Sequence, residues 1–199
     1  MVKVLGLTGG IGMGKSTASA TFRRHHVPVF DADATVHALQ AHGGRAVAPI
    51  AAAFPDAVRD GVVVREALRQ AVFEDPHGQR AALRRLERIV HPLVRAEERR
   101  FLAAARRRRR PLVVLDIPLL FETRGERRCD AVVVVSAPPA IQRARVLART
   151  DMNKARLASI LKRQMPDRLR RARADAVIHT GLSRHTSRRH ILALLRRMR

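Results

Sequence analysis

The sequence predicts an α/β fold: a three-layer P-loop domain with a five-stranded parallel sheet, an inserted helical part and an Arg-rich helical lid. Three observations predict it. Gly9, Gly14, Lys15 and Ser16 satisfy G-x-x-x-x-G-K-[ST] directly after an apolar run. Five apolar runs alternate with helix-like stretches, as in a parallel sheet. Two segments, 33–110 and 143–173, are too long for simple crossovers. The 199-residue chain reads as one domain: 1–32, 111–142 and 174–199 form the core, 33–110 a helical subdomain, and 143–173 the lid.

The first strand is Val2–Thr8. The loop after it, Gly9, Gly10, Ile11, Gly12, Met13, Gly14, Lys15, Ser16 and Thr17, is a cradle for the phosphates of a nucleoside triphosphate such as ATP. Its glycines let backbone N–H groups curl around an anion without a Cβ in the way. A helix starting at about Lys15 turns its positive end to the same anion. Lys15 adds a mobile charge, and the Ser16 hydroxyl is placed to ligate Mg²⁺. The dinucleotide fingerprint does not fit, because Gly10 and Gly12 would need a glycine where Lys15 stands.

The second strand, Val27–Asp31, runs into Asp31-Ala32-Asp33. Strand alternation puts Asp31 and Asp33 on one side. The residues leave two roles open for Asp33: proton acceptor or Mg²⁺ orienter, and N-cap of a helix over Ala34–Gln40. Residues 33–110 read as helical, punctuated by Phe54-Pro55 and Asp75-Pro76, with Pro92 interrupting or kinking a helix. The run Arg106–Arg110 reads as a solvated helix end before Pro111.

The third strand, Leu112–Asp116, opens Asp116-Ile-Pro-Leu-Leu-Phe-Glu122. An aspartate closing an apolar strand is suited to holding Mg²⁺ through water, with Glu122 facing the cleft; the alternative is a helix cap and a surface glutamate. The fourth strand, Ala131–Ser136, contains four valines and is expected to be buried on both faces. The fifth is Ala176–Thr180. Thr8, Asp31, Asp116 and Ser136 end their strands and should gather at the carboxyl edge, where such sheets bind ligands.

Composition narrows the function. The net charge of +23 suggests nucleic acid, yet the cations are almost all arginine, aromatic content is 3%, and Trp and Tyr are absent. Stacking platforms for single strands are therefore lacking, and no specific nucleic-acid partner is expected. One cysteine, Cys129, excludes an internal disulfide framework and fits a reducing cytoplasm. No apolar run reaches ~18 residues and no signal peptide is expected ahead of the first strand, so no membrane association is expected.

Several motifs together resemble one family. Gly6-Leu-Thr-Gly-Gly-Ile-Gly-Met-Gly-Lys-Ser-Thr17, Asp31-Ala-Asp33, His91-Pro92 and Asp116-Ile-Pro-Leu-Leu-Phe-Glu122 occur in the order and spacing of dephospho-CoA kinases. Asp60-Gly61 with Arg65, Leu68 and Phe73, then Gln142-Arg-Ala-Arg145, Arg149, Gln164 and Ala174–Ile178 extend the resemblance over essentially the whole chain. It implies a fold like that of nucleoside-monophosphate kinases, with MgATP as phosphoryl donor and the ribose 3′-hydroxyl of dephospho-CoA as acceptor. It implies that Asp33 is the base and that Lys15, Arg145 and Arg149 are catalytic, the two arginines closing from the lid. It places Thr8, Asp33, Arg65, His91, Pro118, Leu119 and Glu122 near the acceptor, and Ser16 and Asp116 at the metal. His91 has a plainer alternative, a cap at a helix break before Pro92. Arg145 and Arg149, four apart, are expected on one helical face.

Two departures stand out. Met13 replaces a common serine, and its side chain is expected not to matter because the loop works through its backbone. His179-Thr180-Gly181 replaces a stretch where members often carry Asp or Asn. Two other readings are a kinase for a nucleoside monophosphate or another hydroxyl acceptor, and a basic P-loop protein that binds nucleic acid.

Overall fold

The computed structural model describes residues 2–73 and 78–198, so the Asp75-Pro76 break lies outside the described residues. The chain forms two compact units, 1–31 with 104–199, and 32–103.

In the first unit, β1 (Lys3–Gly9) leads into α1 (Lys15–Arg24) and β2 (Val29–Asp31). In the second, α2 (Ala32–Gln40) and α3 (Val47–Ala53) precede a hairpin of β3 (Val58–Arg59) and β4 (Val62–Val63), then α4 (Arg65–Phe73) and α5 (Gln79–Arg107), whose end re-enters the first unit. The first unit continues with β5 (Leu112–Asp116), β6 (Ala131–Ser136), α6 (Pro139–Leu147), α7 (Lys154–Arg163), α8 (Asp167–Ala172), β7 (Ala176–His179) and α9 (Arg184–Met198).

The sheet order is β2-β5-β1-β6-β7, every pairing parallel. All five expected strands are there, with ends within two residues of expectation. The four valines of β6 are buried, as a strand covered on both faces requires. Leu5, Leu7, Phe22, Val114, Val133, Val135, Ile178 and Ile191 are among the residues of the main core. Register sets Asp31 opposite Asp116 on neighbouring strands, so two of the strand-end carboxylates meet at the carboxyl edge.

The helical unit has its own core, with Leu39, Ile50, Phe54, Val63, Leu68, Val72 and Val90. Its β3–β4 hairpin was not expected. Asp60 and Gly61 both take positive φ, 50° and 71°, the two-residue turn that suits a tight hairpin.

Both the alternation to Asp33 and its N-cap alternative fail here, as does the interruption at Pro92. Helix α2 begins at Ala32, so strand alternation does not reach Asp33, and Asp33 lies in the first turn rather than at the N-cap. Pro92 neither ends nor interrupts α5, which runs 29 residues. His91 and Pro92 are exposed. The carbonyl that loses its partner at the proline therefore lies on a solvated face, where water can satisfy it. His91 is accordingly no cap at a helix break.

The run Arg106–Arg110 is exposed throughout, as expected. Replacing it with a mixed Ser/Glu segment should leave kcat/KM within a few-fold and weaken only non-specific polyanion binding, as salt-dependent filter binding would show.

Candidate active site

The phosphate loop is built as its sequence requires. Gly14 sits at φ 88° as the N-cap of α1, a conformation that disfavours any residue with a Cβ. No side chain caps this helix and its first turn has no acidic residue. The positive helix end is thus left uncompensated for an anion. Ser16 is exposed at the second helical position.

Lys15 donates from Nζ to Asp116 Oδ1 at 2.7 Å. Asp116 is 3% exposed at its side chain and Lys15 17%. Burial pushes the Asp116 carboxyl above the usual carboxylate range. The Lys15 ammonium pulls it back, and Asp31 on the adjoining strand pushes it up slightly. Ser19 lies close enough to lower it a little, although its buried hydroxyl makes no hydrogen bond of normal geometry. Loop lysine and strand-end aspartate, 101 residues apart in sequence, thus form one charged centre.

Two side chains hold the crown of the loop by hydrogen bonds, and a third lies against it. Gln142, on α6, donates from Nε2 to the Ile11 carbonyl at 2.8 Å, and Gln164, just after α7, accepts the Ile11 N–H at 3.2 Å. Arg170, on α8, is 2% exposed, and a Cβ on Gly10 would come within 2.8 Å of its Nη1. Sequence reasoning gave no role to Gln142 or Gln164 beyond a resemblance. It missed Arg170 altogether, because one arginine among many in an Arg-rich segment carries no periodic signal.

Met13 overturns the expectation that its side chain is idle. It is 2% exposed and packs in the main core, and its sulfur accepts the Ala137 N–H at 3.0 Å. Met13→Ala should therefore destabilise by roughly 2–5 kcal/mol, the usual cost of emptying a core methionine site. A lower urea midpoint at unchanged m-value is the expected reading.

Thr180 explains the second departure. Its buried hydroxyl donates to the Met13 carbonyl at 2.6 Å, so the end of β7 braces the loop. Arg145 donates to the Thr180 carbonyl at 2.6 Å and approaches its hydroxyl at 3.2 Å and the Gly12 carbonyl at 3.5 Å. The shared-face expectation for Arg145 and Arg149 fails: α6 ends at Leu147, and Arg149 is exposed in the turn beyond it.

The Pro118–Glu122 stretch is tied down at both ends. Thr8, fully buried, donates its hydroxyl to the Pro118 carbonyl at 2.8 Å. Glu122 Oε1 accepts the Met165 N–H at 2.9 Å and Arg170 Nη2 at 3.2 Å. Thr8 and Glu122 therefore position neighbouring segments, while Leu119 is 42% exposed.

In the helical unit, Asp33 stands near the start of α2 and Arg65, exposed, opens α4. His91 lines a cleft of about 750 Å³ along α5 with Ala81, Arg84, Glu87, Arg88 and Pro92. Arg84 and Arg88 are basic companions of His91 that sequence reasoning did not single out. Their spacing of four and three from one another and from His91 was the available signal.

Among the described residues no cluster of three or more His, Cys, Asp or Glu could hold a metal ion. None of their helices is long and apolar enough to cross a membrane.

A sequence model of the dephospho-CoA kinase family matches residues 3–184. The dephospho-CoA kinase of Rhizobium meliloti is 49% identical over 192 residues, 96% of this chain and 96% of that protein. That of Paramagnetospirillum magneticum is 64% identical over 166 residues, 83% of this chain and 76% of that protein. Among solved structures, a protein from Thermus thermophilus superposes with a TM-score of 0.83 at 34% identity, covering 100% of this chain and 98% of that one. A shikimate kinase from Acinetobacter baumannii shares the fold, with a TM-score of 0.54 at 17% identity over 100% of this chain and 93% of its own.

Proposed function

The chain belongs to the dephospho-CoA kinase family, and from that premise we propose that it transfers the γ-phosphoryl group of ATP to the ribose 3′-hydroxyl of dephospho-CoA, giving CoA and ADP. The observation that carries this reading is a phosphate loop with its lysine on a buried strand-end aspartate, in a chain that matches this family over nearly its full length.

The 3′-oxygen attacks the γ-phosphorus, the bond from that phosphorus to the β–γ bridging oxygen breaks, and ADP leaves with the electron pair. The hydroxyl proton passes to Asp33. Phosphoryl transfer asks the protein mainly for positioning and charge neutralisation. The N–H groups of the loop and the α1 terminus meet the phosphates, and Lys15 turns from Asp116 to their oxygens. Arg65, His91 and the exposed Leu119 receive the acceptor, with Arg84 and Arg88 available for its phosphates.

The hard oxygen donors Ser16 and Asp116 suit Mg²⁺ better than a softer metal. Held by Ser16 and Asp116, such an ion would supply charge neutralisation to the phosphates of ATP. Asp116 is released for this role when Lys15 moves to the nucleotide.

We place the enzyme in the cytoplasm, and we assign the excess arginine no dedicated nucleic-acid partner. The test is incubation with MgATP and dephospho-CoA. CoA and ADP should form one to one, with the new phosphate mapped to the 3′ position by phosphorus NMR. A higher kcat/KM for AMP or CMP than for dephospho-CoA would sink the assignment. Salt-sensitive nucleic-acid binding with no small-molecule phosphorylation would favour the binding-protein reading instead.

A further inference from the structure

We propose that Arg170 is a catalytic cation of this transfer, its Nη1 meeting the terminal phosphate of ATP at the crown of the phosphate loop. The proposal rests on the kinase reading above.

Arg170 heads the largest fully buried side chains among the described residues. Nη2 donates to Glu122 Oε1 at 3.2 Å, an oxygen already shared with the Met165 N–H. Nε is buried with no hydrogen-bond partner. Nη1 makes no hydrogen bond among the described residues and lies 2.8 Å from where a Cβ on Gly10 would stand. Arginine keeps its charge and its five donors at any physiological pH. A buried guanidinium whose Nε has no partner is costly to maintain, and an anion brought to the loop would offset its charge.

Arg173, three residues on at the C-cap of α8, shows what a structural arginine looks like nearby. It is 47% exposed, pairs with Glu126 at 2.8 Å and stacks over the Phe121 ring at 4.7 Å. Arg145 is likewise spent on Thr180. Arg170 differs from both: it is buried, under-satisfied and directed at the one glycine whose missing side chain leaves it room. It neither gives nor takes a proton. It offsets charge on the oxygens of the transferring group, as positioned cations do in phosphoryl transfer.

The test compares ATP with ADP, which differ by the phosphate in question. Affinities for MgATP and MgADP are measured for the wild type and for Arg170→Met, which keeps the volume and removes the charge. Turnover with dephospho-CoA is measured beside them. We expect ADP affinity to stay within about threefold, the ATP-to-ADP affinity ratio to fall at least tenfold below that of the wild type, and kcat to fall ~10²–10³. An unchanged ratio, or equal weakening of both nucleotides, overturns the proposal and leaves Arg170 as a structural tie.

If Arg170→Met does not fold, Arg170→Lys serves. It keeps the charge without the fork, and should lower the ATP-to-ADP ratio to a lesser degree; an unchanged ratio overturns the proposal here too. The nucleotide comparison needs no acceptor. A wild-type protein that failed to phosphorylate dephospho-CoA would count against the kinase reading, while the affinity ratio would still judge Arg170.

Discussion

Lys15→Ala is expected to cut kcat by ~10²–10³, the cost of losing one preorganised charge at the developing transition state, and to lower stability as well. The sequence suggests a lysine at a surface cleft whose removal the fold ignores. The structure puts that lysine against Asp116, whose side chain is 3% exposed. Removing one partner of a buried pair costs about 3–5 kcal/mol. The lower end applies here, because Lys15 keeps 17% exposure and Asp116 can take up a proton instead.

The pH dependence follows. Burial holds the Asp116 carboxyl above its ordinary value, and Lys15 is the strongest influence pulling it down. Without Lys15 it rises further. The native state then binds a proton more tightly than the unfolded chain, so stability falls as pH climbs from about 4 through the raised native value. The gap between wild type and Lys15→Ala should therefore widen from about pH 4 to 7 in urea titrations. Adding Asp116→Asn to Lys15→Ala should close most of it without restoring turnover. A gap independent of pH would mean that Asp116 does not depend on Lys15.

What was legible in the sequence was whatever repeats a local pattern. The glycine loop carries its own spacing, the five strands their apolar runs, and Leu112–Asp116 and Ala131–Ser136 match the observed elements at both ends. The hairpin around Asp60-Gly61 was legible and overlooked: an Asp-Gly pair flanked by Val58 and Val62-Val63 is a strong short-range turn signal. Pro92 misled because sequence alone does not say that its side of α5 faces water.

The contacts that finish the loop could not be read at all. Gln164 reaches Ile11 across 153 residues, and Thr180 braces Met13 across 167. No periodicity links such pairs, and only the parallel sheet with its crossovers brings them together. Arg145 shows the same limit. Its spacing from Arg149 implied a shared helical face, but α6 stops at Leu147 and the side chain is taken by Thr180.

The second large effect is expected at Asp33. Asp33→Asn keeps the shape of the side chain and removes its ability to take a proton. If Asp33 accepts the proton of the 3′-hydroxyl, kcat should fall by ~10²–10⁴. The structure makes this test cleaner than the sequence did. Since α2 starts at Ala32, Asp33 is not the N-cap, and asparagine gives up only the favourable placement of a negative charge in the first turn, about 0.3–1 kcal/mol. The melting temperature should thus move by a few degrees at most while turnover collapses. Asp33→Glu, which keeps the carboxylate on a longer arm, should recover part of the rate and none of it through stability. A helix-start residue with no part in the chemistry would give the opposite signature. Asp33→Asn would then retain near-wild-type kcat with the same small loss of stability, and the proton would have to leave the acceptor by another route.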